Sequence, residues 1–222
     1  MRRVAIIPAR GGSKRLPRKN ILDMAGKPML VHPAQAAKQS GLFDRVIVST
    51  EDDEIKKIAT GFDIEVMDRP DELATDAATG AEVCVHVLEQ LDEKPDVFCL
   101  IYSTAVFIQS QDLIESEKMI SGADVVMGVS AYPIHPYKAL EQKDGFLKPV
   151  FPRENDQKSQ TYPHWVASNG TFYWARTDSF LKDPTFFPDR LAGYELPPQR
   201  GVDIDTRQDY ELACGLMTGK VG

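Results

Sequence analysis

Short apolar runs at 4–7, 45–50, 64–67, 97–101, 125–130 and 171–175 have the length and residue content of β-strands. The run Val97-Phe98-Cys99-Leu100-Ile101 has no charged or hydroxyl position, as a strand covered on both faces requires. Between these runs lie segments with apolar residues at helical spacing: about 29–40, stopping at Gly41, then about 51–61, 80–91 and 112–120. Val83, Val87, Leu88 and Leu91 mark the buried stripe of the third, and Glu51-Asp52-Asp53-Glu54 puts acids where the second wants negative charge. Pro33 falls inside the first, which must start late or kink to hold it. A helix over 206–217 closes the chain. Strand and helix alternating at these intervals predict an α/β fold, a Rossmann-like three-layer sandwich around a mainly parallel sheet. Ligands of such sheets gather outside the carboxyl ends of the strands, so the loops after 4–7, 64–67 and 97–101 converge.

From Tyr132 to about Ser168 the helical period disappears, and Phe151, Tyr162 and Trp165 crowd among Pro133, Pro136, Pro149, Pro152 and Pro163. Structureless loops of that length are uncommon in compact domains, and exposed aromatics at this density mark a partner surface. The organisation expected is one domain over 1–222 carrying an inserted lobe at approximately 132–168, with no internal repeat.

The balance of 26 Lys and Arg against 33 Asp and Glu leaves a net charge of -7, which argues against a nucleic-acid partner. Three separated cysteines, Cys84, Cys99 and Cys214, suggest neither a zinc site nor a disulfide framework. The N-terminus enters a strand at once and no apolar run approaches membrane-spanning length. A soluble cytoplasmic protein with no membrane partner is therefore expected.

Against that acidic background residues 6–20 stand out, an apolar run breaking into Gly11-Gly12 and then gathering Arg10, Lys14, Arg15, Arg18 and Lys19 within a few positions. The glycines permit backbone angles that turn successive amides toward one point, an anion nest whose guest would be a polyphosphate. A solvated basic loop is the ordinary reading of a charge run, but cations, paired glycines and a strand end coincide here. The spacing is neither that of a Walker A loop nor that of Gly-x-Gly-x-x-Gly. Asp203 and Asp205, spaced by two on an expected strand, would project to one face as a hard oxygen site suited to magnesium. The alternative is a helix N-cap at Asp205 beside an incidental acid. Arg69, before Pro70, could donate two hydrogen bonds to a base edge or form a surface ion pair with Asp68 or Asp71. His32, His86 and His164 have no spacing that suggests metal ligation or a triad.

Residues 8–20, Pro-Ala-Arg-Gly-Gly-Ser-Lys-Arg-Leu-Pro-Arg-Lys-Asn, resemble the signature of the CMP-sialic acid synthetases, the cytidylyltransferases that activate nonulosonic acids. The resemblance implies transfer of CMP from CTP to the anomeric hydroxyl of an acidic nine-carbon sugar, with release of pyrophosphate. It implies that Ala9, Arg10, Gly11, Gly12, Ser13, Lys19 and Asn20 meet the nucleotide, and that Arg69, in its Arg-Pro context, reads cytosine. Thr79 and Gly80 stand where relatives keep a small hydroxyl residue near the nucleotide, although the local order differs. Arg10 and Lys19 would stabilise the departing pyrophosphate, and Asp203 and Asp205 would hold catalytic Mg2+. His135-Pro136-Tyr137-Lys138 is similar to a segment whose lysine meets the sugar carboxylate, while Asn169, Gly170, Tyr173, Phe186 and Phe187 match positions that shape the sugar pocket. The family's lobe reaches across to a second subunit, which implies a homodimer. Tyr102-Ser103-Thr104 replaces the Gln-Pro-Thr of sialic acid synthetases and is similar to the pseudaminic acid cytidylyltransferases. Pseudaminic acid is therefore the expected acceptor, with sialic acid, legionaminic acid and 3-deoxy-manno-octulosonate as alternatives. A non-catalytic nucleotide-binding regulator is the alternative of another class.

Overall fold

In the computed structural model, residues 1–219 are described, so the last three positions of the expected 1–222 domain lie outside the described residues. Strands β1 (Arg3–Pro8), β2 (Arg45–Thr50), β3 (Glu65–Asp68), β4 (Val97–Ile101), β5 (Val125–Ala131), β6 (Val166–Arg176) and β7 (Leu191–Glu195) form a seven-stranded sheet in the order β7-β5-β6-β4-β1-β2-β3. β4, β1, β2 and β3 run parallel, as do β5 and β7, while β6 is antiparallel to both its neighbours. The expected mainly parallel α/β sandwich is the fold.

The helices longer than four residues are α1 (Val31–Ser40), α2 (Asp53–Gly61), α3 (Gly80–Gln90), α4 (Ser110–Lys118), α5 (Thr177–Lys182) and α6 (Arg207–Met217). Alternation along β1 divides the core. Ala5 and Ile7 face one layer with Val31 and Ala34 of α1 and Leu113 of α4, while Val4 and Ile6 face the other with Val87 and Leu88 of α3 and Phe180 of α5. Burying each large apolar side chain in these layers contributes about 1.5–3 kcal/mol, which is why the sheet centre around Phe98 and Leu100 admits no polar residue. Pro33 is accommodated because α1 starts only at Val31, placing the proline in a first turn whose amides have no intrahelical partner.

The expected lobe contains the hairpin Leu140–Lys143 and Phe146–Pro149, paired antiparallel and exposed at every residue. Asp144 and Gly145 both take positive φ, the two-residue geometry that matches strand twist. The chain rejoins the sheet at Val166, two residues before the expected end of the lobe, because β6 is longer than its apolar run and carries a bulge between Ser168 and Tyr173.

A third, smaller cluster sits under the basic loop. Leu16, Met24 and Met29 pack there with Ile204 and Ala213 of α6, joining the first twenty-odd residues to the last stretch before the final helix. That stretch is not the expected strand: residues 201–205 form no ladder. The N-cap of α6 is Thr206 rather than Asp205, with Asp209 completing a capping box.

Candidate active site

The turn after β1 differs from the expected nest. Ala9 N–H extends the β1–β2 ladder to the Ser49 carbonyl (3.0 Å), and Gly11 N–H donates to Glu51 Oε1 at 2.7 Å. Ser13 N–H donates to the Gly11 carbonyl, and neither Gly11 nor Gly12 takes a positive φ. Two of the amides meant for an anion are thus already engaged. Gly11 is required for close approach instead, since a Cβ there would collide with the Asp52 carboxylate, whereas one on Gly12 would meet nothing.

Side chains form the anion-attracting surface. Arg10 and Lys14 both reach Asp76 at 2.6 Å, while Arg15 and Lys19 reach Asp205 at 2.7 and 2.8 Å. Four cations therefore share two carboxylates around one cleft. Arg18 is turned away: it takes a left-handed φ of 58° and grips Asp52 with two hydrogen bonds and Glu54 with a third. Asp52 also caps α2, accepting from the amides of Glu54 and Ile55. The hydrogen bond from Arg18 is the larger cause, and together these donors hold the Asp52 carboxyl down at about 2, below its usual 3.8. A carboxylate depressed in the folded state stabilises it above its ordinary value and loses that contribution as pH falls toward about 2. Asp52→Asn should therefore flatten the acid limb of a thermal-midpoint profile between about pH 4 and 2; a limb as steep as wild type would contradict the assignment.

Asn20, buried, fastens the loop to the end of β4. Its Nδ2 donates to the Arg10 carbonyl at 2.7 Å and its Oδ1 accepts from Ser103 Oγ. Arg69, 6% exposed, lies along the end of β2 with Nη2 donating to the Ser49 carbonyl and Nε facing Ser49 Oγ at 3.3 Å. The surface ion pair considered for it does not form; Asp68 pairs with Lys56. Burial pulls the Arg69 guanidinium below its ordinary value, the Glu51 charge offsets part of that pull, and Arg10 adds to it. Arg69 lines the same cleft as Arg10, Ser13, Lys19, Tyr102 and Asp205.

Thr79 caps α3 in a reciprocal box with Glu82, so its hydroxyl is occupied, while Gly80 leaves room for Tyr102, whose Oη would lie 2.8 Å from an added Cβ. Burial, above all, pushes the Tyr102 phenol up to about 12, so it meets a ligand as a neutral hydroxyl. Its ring stacks edge-on against Tyr173, and Tyr173 packs on Phe186. Thr104 lines the cleft beside it. Asn169, buried, spends both arms on Thr171 and Ser130 across the bulge. Gly170 has φ 66°, and a Cβ there would stand 3.8 Å from the Asp203 carboxyl.

Ile204 is fully buried between Asp203 and Asp205; Asp205 meets Arg15 and Lys19 of the loop and lines the cleft, while Asp203 lies beside Gly170. Desolvation first, then the Asp205 charge, raises the Asp203 carboxyl above its usual range although the residue is exposed; Lys19 and Arg15 bring the half-buried Asp205 below it. Asp203 has no hydrogen bond or ion pair among the described residues. Two hard oxygen donors that repel each other, one of them unpartnered, fit a divalent cation.

Of the expected sugar-site residues, Tyr102, Ser103 and Thr104 line the cleft, while Lys138, Asn169, Gly170, Tyr173, Phe186 and Phe187 do not. Phe186 is a core residue between Phe98 and Phe180, Phe187 is 69% exposed, and Lys138 lies in the lobe, donating to the Asn155 carbonyl above the Tyr162 ring. Asp76 and Glu51 carry no signal in the sequence; nothing in a polar loop or an acidic helix start tells which cation or amide each acid will face.

The cytidylyltransferase family profile matches residues 4–216. An N-acylneuraminate cytidylyltransferase of Streptococcus agalactiae serotype III is 32% identical over 98% of this chain and 54% of its own length. A pseudaminic acid cytidylyltransferase of Campylobacter jejuni is 31% identical over 96% of this chain and 95% of its own. The chain thus spans about half the length of the streptococcal relative. A solved CMP:2-keto-3-deoxy-manno-octonic acid synthetase, 20% identical, shares the fold with a TM-score of 0.74 over the whole of both chains. With a profile match running from β1 into α6 and relatives of this identity along almost its full length, the chain belongs to the cytidylyltransferase family.

Proposed function

We propose that this protein transfers CMP from CTP to the anomeric hydroxyl of a nonulosonic acid, with pseudaminic acid the favoured acceptor. The observation that carries the reading is the meeting of Arg10 and Lys14 with Asp76, and of Arg15 and Lys19 with Asp205, around one cleft. The sugar hydroxyl gives up its proton to solvent as its oxygen attacks the α-phosphorus, and the bond to the bridging oxygen breaks, so pyrophosphate leaves with the electron pair. Phosphate oxygens take the places at the four cations that Asp76 and Asp205 fill in the free chain, and Lys19 and Arg10 meet the charge that grows on the leaving group. Arg69 presents its fork to the cytosine edge. Asp203 and Asp205 would hold Mg2+, which neutralises phosphate charge and acidifies the attacking hydroxyl when bound. The Tyr102 phenol, in place of an amide, supports the pseudaminic acid preference, and relatives acting on either sugar match this chain about equally. Exposed Ile134, Phe146 and Leu147 on the lobe support a second copy as its cover, giving a homodimer in which Lys138 serves a sugar site.

The test is pyrophosphate release with CTP across pseudaminic, sialic, legionaminic and 3-deoxy-manno-octulosonic acids, with UTP and ATP as alternative nucleotides. Release with CTP and pseudaminic acid in preference to the others is expected. Nucleotide binding without release on any acid would favour the non-catalytic regulator instead.

A further inference from the structure

Resting on that reading of the cleft, we infer that Glu51 is a positioning residue that joins the phosphate end of the nucleotide site to its base end. Glu51 follows directly on β2, whose last residues form a hub. The Ser49 carbonyl receives both Ala9 N–H from the basic loop and the Arg69 guanidinium, and the Thr50 carbonyl receives Arg69 N–H at 3.1 Å. Glu51 adds the third tie, its Oε1 accepting from Gly11 N–H at 2.7 Å. With Gly11 pressed against Asp52, that bond sets how the loop bearing Arg10 leaves the sheet.

The other carboxylate oxygen is the telling one. Glu51 Oε2 is buried and has no hydrogen-bond partner among the described residues. An orphaned buried acceptor is costly, and a hydrogen bond to Gly11 alone would be served as well by a neutral amide. What a carboxylate adds is charge. The group that feels this charge is Arg69, a guanidinium itself buried and repelled by Arg10. Glu51 thus keeps Arg69 seated beneath the base position while its near oxygen holds the glycine turn, and no atom of it need touch the nucleotide.

The two functions separate in two variants. Glu51→Gln keeps an acceptor for Gly11 and removes the charge; Glu51→Asp keeps the charge and withdraws it from Gly11 by one methylene. In Glu51→Gln the preference in kcat/KM for CTP over UTP should fall about tenfold with inhibition by pyrophosphate within about twofold of wild type. In Glu51→Asp pyrophosphate inhibition should weaken about tenfold with the CTP preference kept. The inference is overturned if both variants of a CTP-utilising protein keep both quantities within about twofold, or if both lose both in step with a lowered thermal midpoint. Wild-type protein that neither binds nor uses CTP would overturn the functional reading itself, so the wild-type assay separates the two failures.

Discussion

Asp203→Asn should lower magnesium-dependent turnover by at least about a hundredfold while leaving the thermal midpoint unchanged or higher. The two halves of that expectation come from one geometry. Asp203 is an exposed residue, yet desolvation of its carboxyl and the Asp205 charge raise it above its usual range, with Lys19 and Arg15 offsetting part of that rise and no ion pair to it among the described residues. A carboxyl whose folded value is raised contributes no stability at neutral pH, and solvent screens the small penalty of an exposed one, so an uncharged isostere costs the fold nothing. The same replacement removes half of the proposed oxygen site for Mg2+. Loss of activity with undiminished stability is the pattern of a group kept for chemistry rather than for the fold. A variant that loses both together would make Asp203 structural; one that keeps its response to magnesium would move the metal elsewhere.

Lys19→Ala should lower kcat by about a hundredfold to a thousandfold, about the 2.7–4 kcal/mol typical of losing one preorganised stabiliser of developing charge. Lys19 suits that role because it is largely sheltered, with 20% of its side chain exposed, and is held on Asp205 at 2.8 Å. Lys14 provides the internal comparison. It carries the same charge on the same loop but is 81% exposed, and Lys14→Ala should cost only the fraction of a kcal/mol to about 1 kcal/mol usual for exposed ion pairs. If Lys19→Ala stays within about twofold of wild type, or if the two lysines prove equivalent, the leaving group is not stabilised where the cleft suggests.

Much of this geometry is legible in the amino-acid sequence because it follows from local pattern. The alternation of apolar runs with helical stripes implies the parallel sheet, and the loop after the first strand has to open at a carboxyl end. Elements without a local signature escape. β7 (Leu191–Glu195) is an edge strand whose Leu, Ala, Gly, Tyr and Glu give no apolar run, and it exists because β5 offers an unpaired edge. α5 has only six residues, less than two turns, too few for a period to emerge. The strand expected to carry the aspartate pair does not form, because residues 201–205 are anchored by the burial of Ile204 instead of by a ladder. Gly11-Gly12 likewise marks the right loop with the wrong chemistry, since Glu51 takes the amide that an anion was expected to take. Phe186 fails as a site residue because its ring completes the Phe98–Phe180 cluster, a tertiary fact that no neighbouring residue announces.

A crystal structure of the protein with CTP and magnesium tests the central claim most directly. The account predicts the triphosphate seated against Arg10, Lys14 and Lys19, and a metal ion bound by Asp203 and Asp205 touching the α-phosphate. A triphosphate lying outside that cleft, or a metal bound to other side chains, would contradict it.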